Sequence, residues 1–332
     1  MKIAAFGEVM MRLTVPDQLL LEQADQVQLS FTGTGVNILA SLAHFGHETV
    51  LVSALPANRV GDAAAAGLRR LGMSDRFIVR RGDHIGSFFV ELGFGNRAEQ
   101  VTYLNRLASA FGTSTTADYD FAGVLTGLDA LHICGISLSL SEGTREAAFA
   151  LADAAAAGHV PVYFDFNYRV ALNAANTHEQ MKAYYERILK PSTVVFGSRR
   201  DLTDLMGYDR QQNDETLFSQ FVRDHELQAF AGTERSVRDG RTYIRGFLCT
   251  PAGLTWSAEQ ELTILDRIGG GDAYAAGIIH GLNAGWAVDK VLAFAIASTA
   301  LAHAQIGDSP LATAEQVEAF VSHGGGTGAL IR

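Results

Sequence analysis

The chain alternates between short segments that are almost wholly apolar and longer segments in which apolar residues recur every three to four positions. The short segments are typical of parallel strands covered on both faces, and the periodic segments are typical of helices packed on a sheet. The predicted strands are 2–8, 48–55, 76–80, 130–136, 160–167, 192–198 and 227–233. The first predicted helix begins after Gly33. The other predicted helices span 61–71, 143–157, 178–189, 214–224 and 273–284. This alternation predicts an α/β fold with a doubly wound, mostly parallel sheet, in which ligands bind beyond the carboxyl ends of the strands.

Two segments, 10–31 and 85–107, have a different pattern. In each of them apolar and polar residues alternate, as in strands with one exposed face. Gly93, Gly95 and Asn96 predict a turn inside the second segment. We interpret the two segments as one small β-sheet appended to a single domain that spans residues 1–332.

Composition and charge exclude several classes of protein. At 332 residues, of which 48% are apolar, the chain can bury a substantial core, and its net charge of −10 argues against a nucleic-acid partner. No apolar run reaches the roughly 18 residues that span a bilayer, and the N-terminus lacks signal-peptide architecture, so we expect a cytoplasmic protein that binds no membrane. Cys134 and Cys249 lie in apolar contexts and are expected to be buried free thiols. His44 and His47 have a metal-like spacing but no third ligand nearby, so we expect no metal there.

The strongest candidate for chemistry is the stretch from Asp266 to Asp272, which reads Asp-Arg-Ile-Gly-Gly-Gly-Asp. A helical pattern rich in small residues follows, so Gly269, Gly270 and Gly271 are expected at a helix N-terminus. There the unpaired N–H groups and the helix dipole attract an anion such as phosphate. Asp272 is the first charged side chain past this turn and could accept a proton from an attacking hydroxyl. The alternative is that Asp272 only caps the helix.

This stretch resembles the C-terminal motif of the ribokinase (PfkB) family of sugar kinases, which usually reads Asp-Thr-x-Gly-Ala-Gly-Asp. Arg267 stands here for the Thr and Gly270 for the Ala. The resemblance implies a ribokinase-like fold, ATP and Mg²⁺ as cofactors, and a lid over the sugar that is formed by the small sheet. It also implies that Asp272 is the catalytic base and that Gly269 to Gly271 form the anion hole.

Further motifs resemble the substrate side of this family. Gly33-Thr34-Gly35-Val36-Asn37 is similar to the N-terminal Gly-Gly-x-x-x-Asn-x-Ala motif, with Thr32 for the first glycine, and implies sugar contacts by Gly33, Thr34 and Asn37. Near the C-terminus, a run that ends in Gly307-Asp308 is similar to the ending of the ketodeoxygluconate kinases and implies that Asp308 reaches the sugar.

Two arginine motifs resemble members that phosphorylate 2-keto-3-deoxygluconate. These are Arg106-Leu-Ala-Ser-Ala and the Asp-x-Asn-x-Arg run that ends at Arg169. They imply that Arg106 and Arg169 fix the acid group of the sugar, and that Arg169 also lies near the transferred phosphate. Where those kinases have two tyrosines, this chain has Phe88 and Leu104, with Tyr103 one position early, which leaves the identity of the sugar open.

The nucleotide side carries weaker motifs. The segment from Gly232 and Thr233 to Arg235 and Ser236 occupies the position of the ATP loop of the family, and the helix 298–303 would flank the base. The resemblance adds Asn167, Arg169, Gly269 and Gly271 to the expected cofactor contacts. Asp201 ends a degraded Asn-x-x-Glu motif and is the candidate for holding Mg²⁺ through water. His303 is interpreted as a satisfied residue on a helix face. The chain contains neither a Walker A nor a GxGxxG sequence, which disfavours P-loop kinases and Rossmann dehydrogenases.

We therefore expect ATP-dependent phosphorylation of a primary hydroxyl of a sugar, most closely resembling a 2-keto-3-deoxygluconate kinase. Two alternatives remain: a neutral-sugar kinase such as a fructokinase, and a sugar-sensing protein that has kept the fold without turnover. The exposed apolar faces of a small lid sheet also favour a homodimer that pairs through the lid.

Overall fold

The computed structural model describes residues 1–173 and 176–323, so the predicted domain of residues 1–332 extends past its last described residue. The strands in chain order are β1 (Lys2–Phe6), β2 (Met10–Val15), β3 (Gln28–Thr32), β4 (Glu48–Leu55), β5 (Met73–Arg80), β6 (Gly86–Glu91), β7 (Gln100–Leu104), β8 (Ala130–Cys134), β9 (Val162–Asp165), β10 (Val194–Phe196), β11 (Ala229–Arg238), β12 (Arg241–Thr250), β13 (Gly253–Trp256) and β14 (Gln260–Leu262). The helices are α1 (Thr34–His44), α2 (Arg59–Arg70), α3 (Phe121–Leu125), α4 (Ile136–Leu140), α5 (Glu142–Ala157), α6 (His178–Leu189), α7 (Asp214–Asp224), α8 (Gly270–Asn283), α9 (Val288–His303) and α10 (Ala314–His323).

The main sheet has ten strands in the order β13-β12-β11-β10-β9-β8-β1-β4-β5, with β14 paired to β12. The strands from β11 to β5 are parallel, and the β12 hairpins add antiparallel pairs at one edge. Helices α1, α2, α8, α9 and α10 pack on one face, and α3 to α7 pack on the other. The central strands are buried on both sides because crossover helices cover both faces, which confirms the doubly wound α/β prediction.

A second sheet, the lid sheet, has the order β3-β2-β6-β7 and is built from the two segments whose alternation differed from the rest of the chain. Its strands β2 and β6 are parallel neighbours. Met10, Phe88, Val90 and Leu92 form a small apolar cluster that packs against Ile268, just before the glycine turn. Strand β7 is exposed along its whole length. One face of the lid sheet is therefore tied to the segment that carries Asp272.

Some boundaries differ from the sequence prediction. Helix α8 begins at Gly270 and not at residue 273, so Asp272 lies inside the first turn and does not open the helix. Glycine is a poor helix former, and this property hid the early start. Strand β11 continues past residue 233 to Arg238, because its polar half pairs with β12 in an exposed hairpin. Helix α10 was not predicted.

The predictions for cysteines are confirmed, since Cys134 and Cys249 are buried free thiols. In the described part of the chain, no cluster of three or more His, Cys, Asp or Glu side chains could hold a metal ion. His47 instead makes a 2.8 Å contact from Nε2 to Nδ1 of His280. Over the same residues, no helix is both long and apolar enough to cross a membrane.

Candidate active site

A cavity of about 660 Å³ lies between the lid sheet and the carboxyl ends of the central parallel strands. Strands β1, β8, β9 and β10 each contribute a residue at or just after their last position: Glu8, Cys134, Asp165 and Gly197. This is the location that an open parallel sheet favours for its ligands, because the strand ends and the loops that follow them diverge there.

The glycine turn forms the N-terminus of α8. Gly269 is the N-cap, with φ of 89°, and a Cβ at this position would lie 1.9 Å from the carbonyl oxygen of Asp308. Only glycine fits this combination of left-handed backbone and close approach. The N–H groups of the first helical turn have no partner within the helix, so they are available to an anion, and Gly269 and Gly271 line the cavity.

Asp272 lies in this first turn and faces the cavity. Its Oδ2 accepts a hydrogen bond of 2.6 Å from Nδ2 of Asn37. Burial of the carboxyl group raises the pKa of Asp272 to about 8; the bond from Asn37 and the charge of Arg169 lower it, and Asp165 raises it. A carboxylate with a pKa near neutrality is well suited to take a proton from an alcohol.

Asn37 belongs to a buried network that reaches from Asp308 to Asp272. Thr32 Oγ1 lies 2.9 Å from Asn37 Oδ1 and 2.7 Å from Asp308 Oδ2, and Ser309 Oγ donates to Asn37 Oδ1 at 3.0 Å. The expected role of Asn37 as a donor to sugar hydroxyls is therefore incomplete, because one of its N–H groups orients the carboxylate of Asp272. The hydroxyl of Thr32 connects Asn37 to Asp308, at the position where the family usually has glycine.

Arg12 was missed in the sequence analysis. Its side chain is fully buried, and its guanidinium pairs with Asp266, at 2.6 Å from Nη2, and with Asp308 through Nη1. Asp266 in turn accepts from the N–H groups of Ile268 and Gly307, both at 3.1 Å. Strand β2 is thereby fastened to the residue at the start of the glycine-rich run and to the loop after α9. Arg12 lies two residues after Met10, so both side chains are on the inward face of β2. This position in the alternating pattern is the signal that could have identified Arg12.

Arg106 lines the cavity but is already paired in the structure. Its Nε donates to Oε2 of Glu8 at 2.7 Å, and both side chains are nearly inaccessible. Burial raises the pKa of Glu8, and the neighbouring Arg106 lowers it. Oε1 of Glu8 is buried without a hydrogen-bond partner in the described residues. The sequence indicated Arg106 as a site residue but not its pairing with Glu8.

Of the two positions that replace family tyrosines, only Phe88 lines the cavity. Leu104 lies on the opposite side of β7 and does not line it. Because Phe88 pairs with Tyr103 across the two strands, the ring of Tyr103 enters the cavity, with ring centroids 5.6 Å apart. The cavity is therefore lined by the neighbouring Tyr103 and not by Leu104, which was expected to contact the substrate.

The Asp-x-Asn-x-Arg run leaves β9 in a sharp turn. Asn167 has φ of 37°, donates its N–H to Asp165 Oδ1 at 3.1 Å and reaches Thr34 Oγ1 at 3.2 Å. Arg169 is exposed, lines the cavity and forms no ion pair within the residues that the structure describes. Its charge is therefore available to a ligand.

Two carboxylates suit a magnesium ion. Asp165 and Asp201 both line the cavity. Burial raises the pKa of Asp165 to about 7, and the charge of Asp201 raises it as well. Asp201 Oδ2 accepts from both N and Oγ of Ser198 at 2.7 Å, and burial raises its pKa. Mg²⁺ is usually held by one or two carboxylates with waters and substrate phosphates, so these residues fit the ion.

The nucleotide residues are divided between the cavity and its rim. Gly232 and Thr233 line the cavity, whereas Arg235 and Ser236 lie further along β11 and do not. Gly270 is also absent from the lining. Arg267, to which the sequence analysis gave no role, lines the cavity on the same side. The substrate candidates Gly33, Thr34, Asn37 and Asp308 all line it too.

Three comparisons relate the chain to known proteins. A sequence profile described as pfkB family carbohydrate kinase matches residues 1–314. A solved structure from Enterococcus faecalis, provisionally named a 2-keto-3-deoxygluconate kinase, is 50% identical, with a TM-score of 0.96, and the match covers 100% of this chain and 98% of that one. The 2-dehydro-3-deoxygluconokinase structure from Thermotoga maritima is 28% identical, with a TM-score of 0.92 over 97% and 99% of the two chains. The 2-dehydro-3-deoxygalactonokinase of Haloferax volcanii is 26% identical over 327 residues, which cover 97% of each chain.

Proposed function

The chain belongs to the pfkB family of carbohydrate kinases, and from this premise we propose that it transfers a phosphoryl group from ATP to the primary hydroxyl of a keto-deoxy sugar acid. The preferred substrate is 2-keto-3-deoxygluconate. The observation that carries the proposal is the position of Asp272 at the N-terminus of α8, in a cavity that Arg106 and Arg169 also line.

The residues around Asp272 suit an attack by a hydroxyl group. In its ionised form Asp272 takes the proton of the hydroxyl, while Asn37 holds the carboxylate in place. The free N–H groups of the first turn of α8 lie where negative charge would develop on the transferred group. Bound Mg²⁺, which Asp165 and Asp201 would hold, supplies charge neutralisation for the phosphates. We place this reaction in the cytoplasm, where ATP is available.

The arginines support an acidic substrate. Arg169 has no ion-pair partner in the described residues, and Arg106 spends only its Nε on Glu8, which leaves its two terminal nitrogens available. A guanidinium group recognises a carboxylate through paired N–H donors. The relatives from Thermotoga maritima and Haloferax volcanii are named for two keto-deoxy sugar acids that differ in the configuration of one hydroxyl. An acid group is therefore the feature that the substrates have in common.

A neutral sugar is the second candidate, and the Glu8 contact favours it. The Arg106–Glu8 pair carries no net charge, and the unpartnered Oε1 of Glu8 could accept a hydrogen bond from a sugar hydroxyl. If this pair stays intact in the complex, Glu8 neutralises the charge of Arg106, and Arg106 adds little to the binding of a carboxylate. The two candidates therefore differ in whether the charge of Arg106 serves the ligand or stays neutralised by Glu8.

An assay of ADP formation tests the proposal. The purified protein is supplied with ATP, Mg²⁺ and one of 2-keto-3-deoxygluconate, its galactonate epimer or fructose, and the rate without sugar is subtracted. We expect kcat/KM for a sugar acid to exceed that for fructose by at least about thirtyfold, since a paired charge in a closed site contributes about 2 to 5 kcal/mol. A preference for fructose would support the neutral-sugar candidate. Binding of a sugar without any ADP formation would support the sensing alternative.

A further inference from the structure

Gly270 stands where the family usually has Ala, and the ring of His303 occupies the space of the missing side chain. A Cβ on Gly270 would lie 2.1 Å from Cε1 of His303 and 2.8 Å and 2.9 Å from its ring nitrogens. Real Cβ atoms do not approach other atoms so closely, so an alanine could enter only if the ring moved away. Gly270 and His303 are therefore a matched pair, although 33 residues separate them in the sequence.

His303 is held at both nitrogens. Its Nδ1 lies 2.8 Å from the carbonyl oxygen of Thr299, so Nδ1 carries the hydrogen and donates it. Nε2 is then the acceptor for Nη2 of Arg235, also at 2.8 Å. The side chain is almost wholly inaccessible, and burial lowers its pKa, which favours this neutral form. The histidine thus connects the glycine turn to the hairpin of β11 and β12.

A second arginine, Arg267, belongs to the same seven-residue run as Gly270 and lines the cavity. Burial lowers the pKa of Arg235, and the charge of Arg267 lowers it as well. Neither arginine forms an ion pair with a carboxylate anywhere in residues 1–173 and 176–323. Two cations that no carboxylate pairs with would favour a ligand that carries several negative charges.

We propose that His303 is a positioning residue for the nucleotide: its ring takes the place of a side chain at Gly270, and its Nε2 holds Arg235 at the rim of the cavity, where it meets the polyphosphate together with Arg267. The inference rests on the proposed use of ATP. This proposal replaces the interpretation of His303 as a helix-face residue whose hydrogen bonds are satisfied and that has no further role. The glycine at position 270 is then required by the histidine and not by the anion site itself.

Calorimetric titration with a non-hydrolysable ATP analogue and Mg²⁺ tests the first half of the proposal. His303→Ala should raise Kd for the analogue about tenfold, which corresponds to about 1.4 kcal/mol. His303→Gln, whose amide oxygen can replace Nε2, should stay within about threefold of wild type. Arg235→Ala should weaken binding to a similar extent, and the double variant should bind no more weakly than Arg235→Ala alone, because the histidine acts through the arginine.

His44→Ala is the matched control. His44 also lies at the end of a helix, with Nδ1 2.8 Å from the carbonyl oxygen four residues earlier, but no arginine within the described residues forms a hydrogen bond with it. Its Kd should equal that of wild type. Thermal unfolding of each variant separates weaker binding from loss of fold. If His303→Ala is folded and its Kd changes less than about twofold, the proposal is overturned.

The second half is tested by turnover. Gly270→Ala should lower kcat about a hundredfold, because a displaced ring distorts the N–H groups of the turn. Gly270→Ala combined with His303→Ala restores the space and should recover kcat to within about threefold of His303→Ala, while Kd for the analogue stays about tenfold raised. If Gly270→Ala impairs kcat equally with and without His303, the pairing is wrong.

These measurements distinguish failure of the inference from failure of the proposed function. The titration requires no sugar, so an incorrect sugar assignment leaves the expected Kd values unchanged. A wild type that binds the analogue but phosphorylates none of the sugars would refute the proposed function alone. A wild type that does not bind the analogue would refute both.

Discussion

Replacing Asp272 by Asn should abolish turnover and also stabilise the protein. The amide keeps the size and one acceptor for Asn37 but cannot take a proton from the sugar hydroxyl. Loss of a general base typically costs about 10²- to 10⁴-fold, so kcat should fall by about three orders of magnitude while the ATP analogue still binds. Retention of near wild-type kcat would refute the catalytic assignment.

The stability gain follows from the raised pKa of Asp272. The folded-state pKa of about 8 lies above the unfolded value near 3.9, so the carboxyl group favours folding only while it is protonated. Its contribution is full below pH ~4 and is lost as pH rises through about 8. At pH 7 the stability that the wild type loses through ionised Asp272 has an upper bound of about 4 kcal/mol. We expect the variant to regain about 1 to 2 kcal/mol, because the side chain is only half-buried in an open cavity.

Urea unfolding of wild type and Asp272→Asn at pH 5 and pH 8 measures this difference. The variant should be more stable at pH 8 and nearly equal to wild type at pH 5. Asp289→Asn is the matched control, since Asp289 also lies in the first turn of a helix but is exposed to solvent. Its substitution should bring no stability gain at pH 8. A variant at position 272 that is equally or less stable at pH 8 would show that the carboxylate is not strained in the free enzyme.

The same pKa sets the pH dependence of the wild type: kcat/KM should rise about tenfold per pH unit below 8 and level off above it, and a profile flat from pH 6 to 9 would contradict a base with this pKa. Arg106→Ala should reduce kcat/KM for 2-keto-3-deoxygluconate at least about thirtyfold more than for fructose, with Leu104→Ala as the silent control outside the cavity; equal losses would favour the neutral sugar. Arg12→Met should destabilise the protein by about 3 to 5 kcal/mol in urea unfolding, because two buried aspartates lose their partner; an unchanged midpoint would contradict the burial of this triad. Hydrogen exchange in 10–15 and 86–91 should slow when sugar binds, and a sugar-independent pattern would argue against lid closure. Light scattering should give the mass of a homodimer that pairs through the lid sheet, and a monomeric mass would remove that expectation.

Much of the fold could be predicted because its signals are local. Helices α6 and α7 were predicted with their observed boundaries, since Thr177 and Asn213 accept hydrogen bonds from backbone N–H groups three residues ahead and mark where each helix begins. The family could also be predicted, because a single run of seven residues carries its C-terminal motif, and the family profile confirms this assignment. Asp272 could be singled out from this local motif alone, without information on distant contacts.

The environment of those residues was decided by the tertiary structure. Arg12 meets Asp266 across 254 residues, Asn37 meets Asp272 across 235, and Arg106 meets Glu8 across 98. An alternating pattern shows which face of a strand is buried, but it does not show which residue of opposite charge pairs with a buried side chain. The register of β6 and β7 likewise placed Tyr103 in the cavity where the resemblance had suggested Leu104. Charge pairing and pKa depend on distance and burial, which the chain acquires only when remote segments pack together, so the sequence determined which groups are present and the fold determined what each of them can do.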